Sequence, residues 1–396
     1  MSSNVVKVPR ILLPKEGIDK SKYAVIACDQ FTSQPKYWDE LRGFVGDEVS
    51  ILNMIFPEIY LSEDNSNKID QINETMKKYQ NDKNFVECAS LILVERELKN
   101  GKKRLGIMIE INLDDYDYTE CNTALIKATE KTVVERLPVR IEIRKNATLE
   151  FPHIMLLMDD KKEQIIKKLY QNVSSMRKLY DFKLNMNGGH LTGYKVPNSD
   201  VVVETIMKLL NNNPQMLFAV GDGNHSLAAA KANWENLKKQ GAKQGHPAQY
   251  ALCELVSIYD DSLEFEPIHR VVLNAGQDLI QYLQNKLSGN NVVKMFYGGV
   301  EYLLKVKEAT DAIKDIQDAL DEYIKNNNQV EIDYIHGDDY LIEVANAKNG
   351  IAIFMPTIQK NQLFDYVSRR GVLPRKAFSM GIAEDKRYYF EGRKIL

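Results

Sequence analysis

The sequence predicts a mixed α and β protein of the α+β class. Apolar runs of strand length, such as Met216 to Val220 and Tyr250 to Ile258, stop abruptly at clusters of Gly, Asp and Asn. Longer segments rich in good helix formers lie among them, Leu227 to Lys238 being the clearest. Strand-like and helix-like segments are interleaved from one end of the chain to the other, with no internal repeat, which is the pattern of a mixed fold.

Taken in order, residues 5–13 and 23–28 read as short strands separated by Pro14 and Gly17. A helix begins within Ser33 to Leu41: Pro35 suits its first turn, and Trp38 faces inward. Asp64 to Asn81 is a polar helix. Phe85 to Glu95 and Arg104 to Leu113 alternate as paired strands, with the hairpin signal Lys99-Asn-Gly-Lys102 between them. Arg140 to Ile143 and Ile154 to Met158 read as extended, on either side of Pro152. Lys161 to Leu179 reads as helical, Asn185 to His190 as a loop, and Val201 to Asn211 as a helix. Asp278 to Lys286 and Ala309 to Lys325 are further helices. The Gly- and Asn-rich stretch Gly289 to Gly299 is the natural boundary. It divides a main α/β domain, 1–290, from a smaller C-terminal α/β subdomain, 291–396. In the subdomain, Val330 to Ile335, Tyr340 to Val344 and Ile351 to Met355 form a small sheet.

Composition narrows the function. The 396 residues suffice for a sizeable core. A formal net charge of −3 gives no basic excess for nonspecific phosphate-backbone contacts, which argues against a nucleic-acid partner. Cys28, Cys88, Cys121 and Cys253 are far apart and form no C-x-x-C pair, so they read as reduced thiols and not as a structural zinc site. No signal peptide is visible, and no apolar run approaches the ~20 residues a membrane span needs. The expected setting is the cytoplasm, with no membrane partner; homo-oligomerisation is left open. No haem or flavin is expected. Gly-x-x-x-x-Gly-Lys-Ser/Thr, Gly-x-Ser-x-Gly and His-Glu-x-x-His are all absent.

The turn Gly221-Asp222-Gly223-Asn224-His225-Ser226 is the most informative stretch. Its glycines let the backbone reverse sharply and approach a ligand closely. Ser226 is placed to cap the following helix, whose first-turn N–H groups suit a phosphate. Asp222 and His225 add an acid and a proton carrier. An ordinary capped strand–turn–helix fits the same spacing. Asp29 ends an apolar run, as a catalytic or metal-binding carboxylate does, or as an Asx-turn or helix cap does. Arg136 sits in the charged segment Thr129 to Arg140 and suits a two-pronged contact to phosphate or carboxylate, although the residues by themselves slightly favour a solvated charged loop. His269-Arg270 at a strand start and the loop Pro374-Arg375-Lys376 suit an anion, or else a surface pair and a solubilising turn. Asp385-Lys386-Arg387 follows that loop, and His153 follows Pro152; neither receives a role from spacing alone.

These segments in order resemble a bacterial family of unknown function, DUF1015. The marks are Asp29, Thr129 to Arg136, Asp222 to Ser226, Pro267 to Arg270 and Pro374 to Lys376. The turn also resembles that of the ParB/sulfiredoxin-like superfamily, which includes free serine kinases. Asn224 stands where that pattern has its first His, and Ser226 where it has Arg. The resemblance implies a ParB/sulfiredoxin-like core with added strands and helices. It implies a small-molecule phosphotransferase moving phosphate between a nucleotide and a hydroxyl amino acid, serine or O-phosphoserine, in either direction. A phosphoserine phosphatase or a nucleotide-binding regulatory module are the alternatives. Asp222, His225 and Asp29 would be catalytic. Gly221, Gly223, Asn224, Ser226, Arg136, His269, Arg270 and Lys376 would hold phosphate or substrate, with the basic loop contributed by the C-terminal subdomain. Mg²⁺, on Asp29 or Asp222, and ADP or ATP are the expected cofactors.

Overall fold

A computed structural model describes residues 5–61, 65–120, 122–132 and 137–396. The fold is mixed α+β, as the sequence predicts, and forms two compact units. Unit 1 comprises Met1–Ala128, Thr132–Leu263 and Ile382–Leu396; unit 2 comprises Thr129–Lys131 and Glu264–Gly381. The division therefore falls at Leu263, not near residue 290, and the C-terminal segment belongs to unit 1.

Unit 1 is built on a ten-stranded sheet. Its strands are β1 (Val6–Lys7), β2 (Ile92–Glu97), β3 (Lys103–Asn112), β4 (Tyr116–Asp117), β5 (Ile126–Ala128), β6 (Met155–Met158), β7 (Arg177–Lys183), β8 (His190–Lys195), β9 (Phe218–Asp222) and β10 (Tyr250–Ser257). Their spatial order is β7-β8-β2-β3-β10-β6-β9-β5-β4, with β1 also paired to β3. The β6–β10, β5–β9 and β4–β5 pairs are parallel; the rest are antiparallel. Alternation explains the central strands. Leu91 and Leu93 face one core with Ile107, Ile109, Leu156 and Phe218. Ile92 and Val94 face the other with Met108, Leu252, Trp38 and Phe390. Both faces are covered, so β10 is buried along its whole length and reads as a continuous apolar run. The β2–β3 hairpin closes as the sequence predicts, with Gly101 at φ 78° accommodating the turn.

Helices α1 (Pro35–Val45), α2 (Ser66–Asn81), α3 (Leu137–Lys145) and α4 (Asn224–Lys239) pack in unit 1. Helix α3 corrects the expected extended segment Arg140 to Ile143. Apolar residues at 139, 141 and 143 mimic strand alternation, but Leu137 and Ile141 are one helical turn apart. They pack on Ala228 and Ala229 of α4, and that contact selects the helix. Lys161 to Leu179 is likewise not one helix. Its α-helical part is Ile166–Gln171, a single 3₁₀ turn follows, and β7 starts at Arg177. The strand wins because Tyr180, edge-on, and Phe182, tilted, both pack their rings against Phe390 in the core.

Unit 2 contains β11 (Phe265–Leu273), β12 (Asn291–Tyr297), β13 (Val300–Val306), β14 (Glu331–His336), β15 (Ile351–Ile353) and β16 (Phe378–Met380), ordered β13-β12-β15-β11-β14 with β16 on the start of β11. Helices α5 (Gln277–Lys286), α6 (Ala309–Asn326), α7 (Asp338–Ala347) and α8 (Lys360–Arg370) accompany them. Two expectations change here. Gly289 to Gly299 is no linker: it holds β12 and the turn to β13. Tyr340 to Val344 is no strand: Leu341, Val344 and Ala345 follow helical spacing and bury against Val271 and Ala352, inside α7. Among the described residues no helix is long and apolar enough to cross a membrane.

Candidate active site

The site grows from the end of β9. Phe218, Ala219 and Val220 are buried between neighbouring strands and fix where Asp222 emerges. The chain then turns through Gly223 at φ 80°. A Cβ there would stand 3.0 Å from the Ile154 Cα, so both backbone and space favour glycine. Gly223 is the N-cap of α4, and no side chain caps that terminus. Ser226 is thus not the expected cap, because the helix starts two residues earlier, at Asn224. An uncapped first turn presents the N–H groups of Asn224, His225 and Ser226 at the positive end of a sixteen-residue helix. The Asn224 Oδ1 is buried there without a hydrogen-bond partner among the described residues.

Four further side chains of unit 1 converge on this turn. The Asp222 Oδ1 accepts from the Gly223 amide at 2.9 Å, and its Oδ2 lies 3.1 Å from the Lys386 Nζ. Burial alone would raise the Asp222 pKa, but the charges of Lys386 and His153 outweigh it and hold the carboxyl below its ordinary value. Burial opposes the charge on Lys386, but Asp222 and Asp29 more than offset it and raise the ammonium pKa. The His153 Nε2 lies 3.4 Å from the Ser226 Oγ and 3.8 Å from the Asp29 Oδ2. Its Nδ1 lies 2.8 Å from the Tyr389 hydroxyl, which accepts from the Cys28 amide at 3.1 Å. Burial, reinforced by Cys28 and Asp29, keeps that phenol protonated well above its ordinary pKa. Asp29 is about 30% exposed at its side chain and faces solvent beside His153.

Lys386 is held from below by buried arginines. Arg96 of β2 donates to the carbonyls of Lys386 at 3.1 Å and Glu384 at 3.0 Å, and Arg104 of β3 donates to that of Asp385 at 2.9 Å. Burial and the neighbouring Arg104 lower Arg96 to about 9. Arg387 is fully enclosed: it donates to Glu254 at 2.7 Å, to Glu391 at 2.6 Å and to the Pro152 carbonyl at 2.6 Å. One guanidinium therefore fixes both the Lys386 loop and the segment that presents His153. A cavity of about 10 Å³, roughly one water, lies among Arg96, Arg104, Glu254 and Arg387.

The structure thus brings Asp29, Gly221, Asp222, Gly223, Asn224, His225 and Ser226 together. Lys386, His153 and Tyr389 join them without any spacing signal in the sequence; only sheet pairing reveals them. Tyr388–Tyr389 pairs with Val25–Ile26, which places the C-terminal segment beside Asp29. Arg136 lies outside the described residues. The other expected ligands belong to unit 2. Arg270 is fully buried, donates to Gln317 at 2.9 Å and to the Ile268 carbonyl at 2.5 Å, and stacks on Tyr334. Burial lowers its pKa to about 10. His269 accepts from the Met355 amide at 3.0 Å and lies 2.8 Å from Asp338. Burial lowers its pKa, partly offset by Asp338. Both side chains are engaged within unit 2. Lys376 is exposed, in a left-handed turn whose Ala377 amide donates to Glu130 at 3.2 Å. Among the described residues no group of three or more His, Cys, Asp or Glu forms a metal site.

A family model described as "Protein of unknown function (DUF1015)" matches residues 12–323. No curated protein matches the chain. Among solved structures, a free serine kinase in complex with AMP is similar at 14% identity, with 72% of this chain and 90% of that chain covered and a TM-score of 0.40. A free serine kinase mutant in complex with ADP is similar at 13% identity, with 73% and 93% covered and a TM-score of 0.41. A conserved hypothetical protein from Pyrococcus furiosus is similar at 13% identity, with 73% and 94% covered and a TM-score of 0.38. At such values the similarities assign no residue role to this chain.

Proposed function

This chain belongs to the DUF1015 family, and we propose that it is a nucleotide-using phosphotransferase acting on a hydroxyl amino acid, serine or O-phosphoserine. One observation carries the proposal. The Lys386 ammonium lies 3.1 Å from Asp222, which precedes the uncapped first turn of α4, and His153 stands 3.4 Å from Ser226 of that turn and 3.8 Å from Asp29. Phosphoryl transfer needs little more than positioning and charge neutralisation, and this arrangement offers both. The choice of serine rests on the sequence resemblance.

In this reading the amides of Asn224, His225 and Ser226 donate to phosphate oxygens, and Lys386 is shared between Asp222 and the phosphate. Asp29 takes the proton of the attacking hydroxyl as its oxygen bonds to the terminal phosphorus. The bond from that phosphorus to the nucleotide oxygen breaks, and the nucleoside diphosphate leaves with its electron pair. His153, oriented by Tyr389, steadies Asp29 and donates to the transferring oxygens. His225 stands in the same turn as a second proton carrier. Mg²⁺ would neutralise phosphate charge; Asp29, part-exposed, would hold it, although its Oδ1 accepts from Gln30 at 3.0 Å and Asp222 is engaged by Gly223 and Lys386.

The test is incubation of the purified protein with O-phosphoserine and Mg²⁺, with and without ADP. The expected result is serine and ATP in equal amounts, only when ADP is present. Release of inorganic phosphate without ADP would instead favour a hydrolase, and no turnover in either direction would favour a binding module.

A further inference from the structure

The strand registers of unit 1 gather charge onto one face of its sheet. Arg96 of β2 pairs with Arg104 of β3, and Val94 with Gly106. Gly106 pairs on its other side with Val256 of β10, and Met108 with Glu254. Residues two apart along a strand share a face, so Val94, Arg96, Arg104 and Glu254 stand on the same one. With Arg387, Tyr388 and Glu391 of the C-terminal segment they line the cavity of about 10 Å³.

Two buried atoms of this lining lack a protein partner, and they are of opposite kinds. The Arg104 Nε is a donor and the Glu254 Oε1 an acceptor, and neither has a hydrogen-bond partner among the described residues. They stand 4.0 Å apart, too far for a hydrogen bond of their own. Each is restrained from closing the gap. The Glu254 Oε2 accepts from the Arg387 Nε at 2.7 Å, and the Arg104 Nη1 donates to the Asp385 carbonyl at 2.9 Å. Arg387 cannot supply the missing donor. Its N–H groups already meet Glu254, Glu391, Met108 and the carbonyls of Pro152 and Tyr388. The sheet also makes room for the Glu254 oxygen: a Cβ on Gly106 would stand 2.4 Å from it.

Leaving a buried donor and a buried acceptor both unmet is costly, more so when each belongs to a charged group. An anion in the gap would face the Glu254 carboxylate, and a cation would face the Arg104 guanidinium. A single water accepts from one and donates to the other, and the cavity has roughly the room one water needs. We propose that this cavity is the site of one ordered water, which accepts from the Arg104 Nε and donates to the Glu254 Oε1. That water joins two anchors. Arg104 holds the Asp385 carbonyl beside Lys386, and Glu254 holds Arg387, which in turn holds the Pro152 carbonyl beside His153. The inference does not depend on the proposed phosphotransfer.

The test is NMR cross-relaxation between water and the arginine Nε–H groups of the full, ¹⁵N-labelled chain. Arg104→Lys, which removes that nitrogen, assigns the resonance. The expected result is a cross-peak from the Arg104 Nε–H to a long-lived water. Val94→Ile adds one methylene at the cavity wall. It should abolish the cross-peak and shift the amides of Lys386 and His153 together, with circular dichroism establishing that it is folded. Val94→Ala leaves the space and both polar partners, and should keep the cross-peak. A crystal structure of the wild type should show one density peak at about 2.7–3.2 Å from both atoms. Absence of the cross-peak in the wild type, a direct bond between Arg104 and Glu254 in the crystal, or a cross-peak that survives in folded Val94→Ile overturns the proposal. So do Lys386 and His153 amides that stay in place when the cross-peak is lost.

Discussion

Lys386→Ala is expected to slow phosphoryl transfer by about 10²–10³-fold, the usual cost of removing one pre-positioned donor from developing charge. It removes the ammonium that lies 3.1 Å from Asp222, the residue before the N-cap of α4. Nucleotide binding should weaken as well, since the helix terminus alone must then hold the phosphates. The effect should also be visible in stability against pH. The Asp222 carboxyl is depressed in the folded protein, so its contribution is present above the unfolded value of about 3.9 and is lost as pH falls through the lower folded value. The Lys386 ammonium is raised, so its contribution is full below about 10.4 and is lost as pH rises through the higher folded value. The pair therefore contributes across the neutral range. In Lys386→Ala the burial of Asp222 is no longer offset by its main partner, and the acid limb of the stability profile should move to higher pH. Denaturation midpoints between about pH 4 and pH 8 measure this. An unchanged acid limb would mean that the pair does not act as one unit.

Arg387→Met is expected to cost the most stability of any single substitution near the site, about 3–5 kcal/mol. Arg387 sits between Glu254 and Glu391, all three essentially without exposure, and Tyr180 donates to the far oxygen of Glu391. Removing the guanidinium leaves two carboxylates buried without their main cation. It also releases the Pro152 carbonyl, so His153 should lose its fixed position. Urea unfolding of Arg387→Met, and of Arg387→Met with Glu391→Gln, separates the two effects. The second change should recover part of the stability by removing one stranded charge, but not the activity, because the segment that presents His153 loses its anchor at the Pro152 carbonyl. A loss below about 1 kcal/mol would show that the cluster is not a buried charge network.

What the sequence revealed follows from how local each feature is. The strand ending at Val220, the glycine-bounded turn and the helix after it are contiguous, so composition and punctuation sufficed to locate Asp222 and its neighbours. The cap was misassigned because Ser226 is a good capping residue by type, and only the backbone shows that Gly223 takes the position. Segments 140–143 and 340–344 alternate like strands, and their helical state is decided by partners far away in the chain, Ala228 and Ala229 for one and Val271 for the other. Lys386 and Tyr389 are brought to Asp29 by pairing of residues 25–26 with 388–389, and His153 to the turn by pairing of Met155 with Asp222, separations that no local pattern encodes. Arg270 was legible for the opposite reason. A conspicuous His-Arg pair on a strand is also what a buried polar anchor looks like; Arg270 donates from its Nε to Gln317, while its Nη2 has no partner among the described residues.

The central claim is that the first turn of α4, together with Lys386, is a phosphate site. The most direct measurement is amide NMR of the ¹⁵N-labelled, deuterated protein during titration with ADP. The account predicts that the amides of Asn224, His225 and Ser226 shift together and saturate with one affinity, and that Lys386→Ala weakens that affinity while leaving the unliganded spectrum of α4 in place. ADP binding that leaves those three amides unmoved would contradict it.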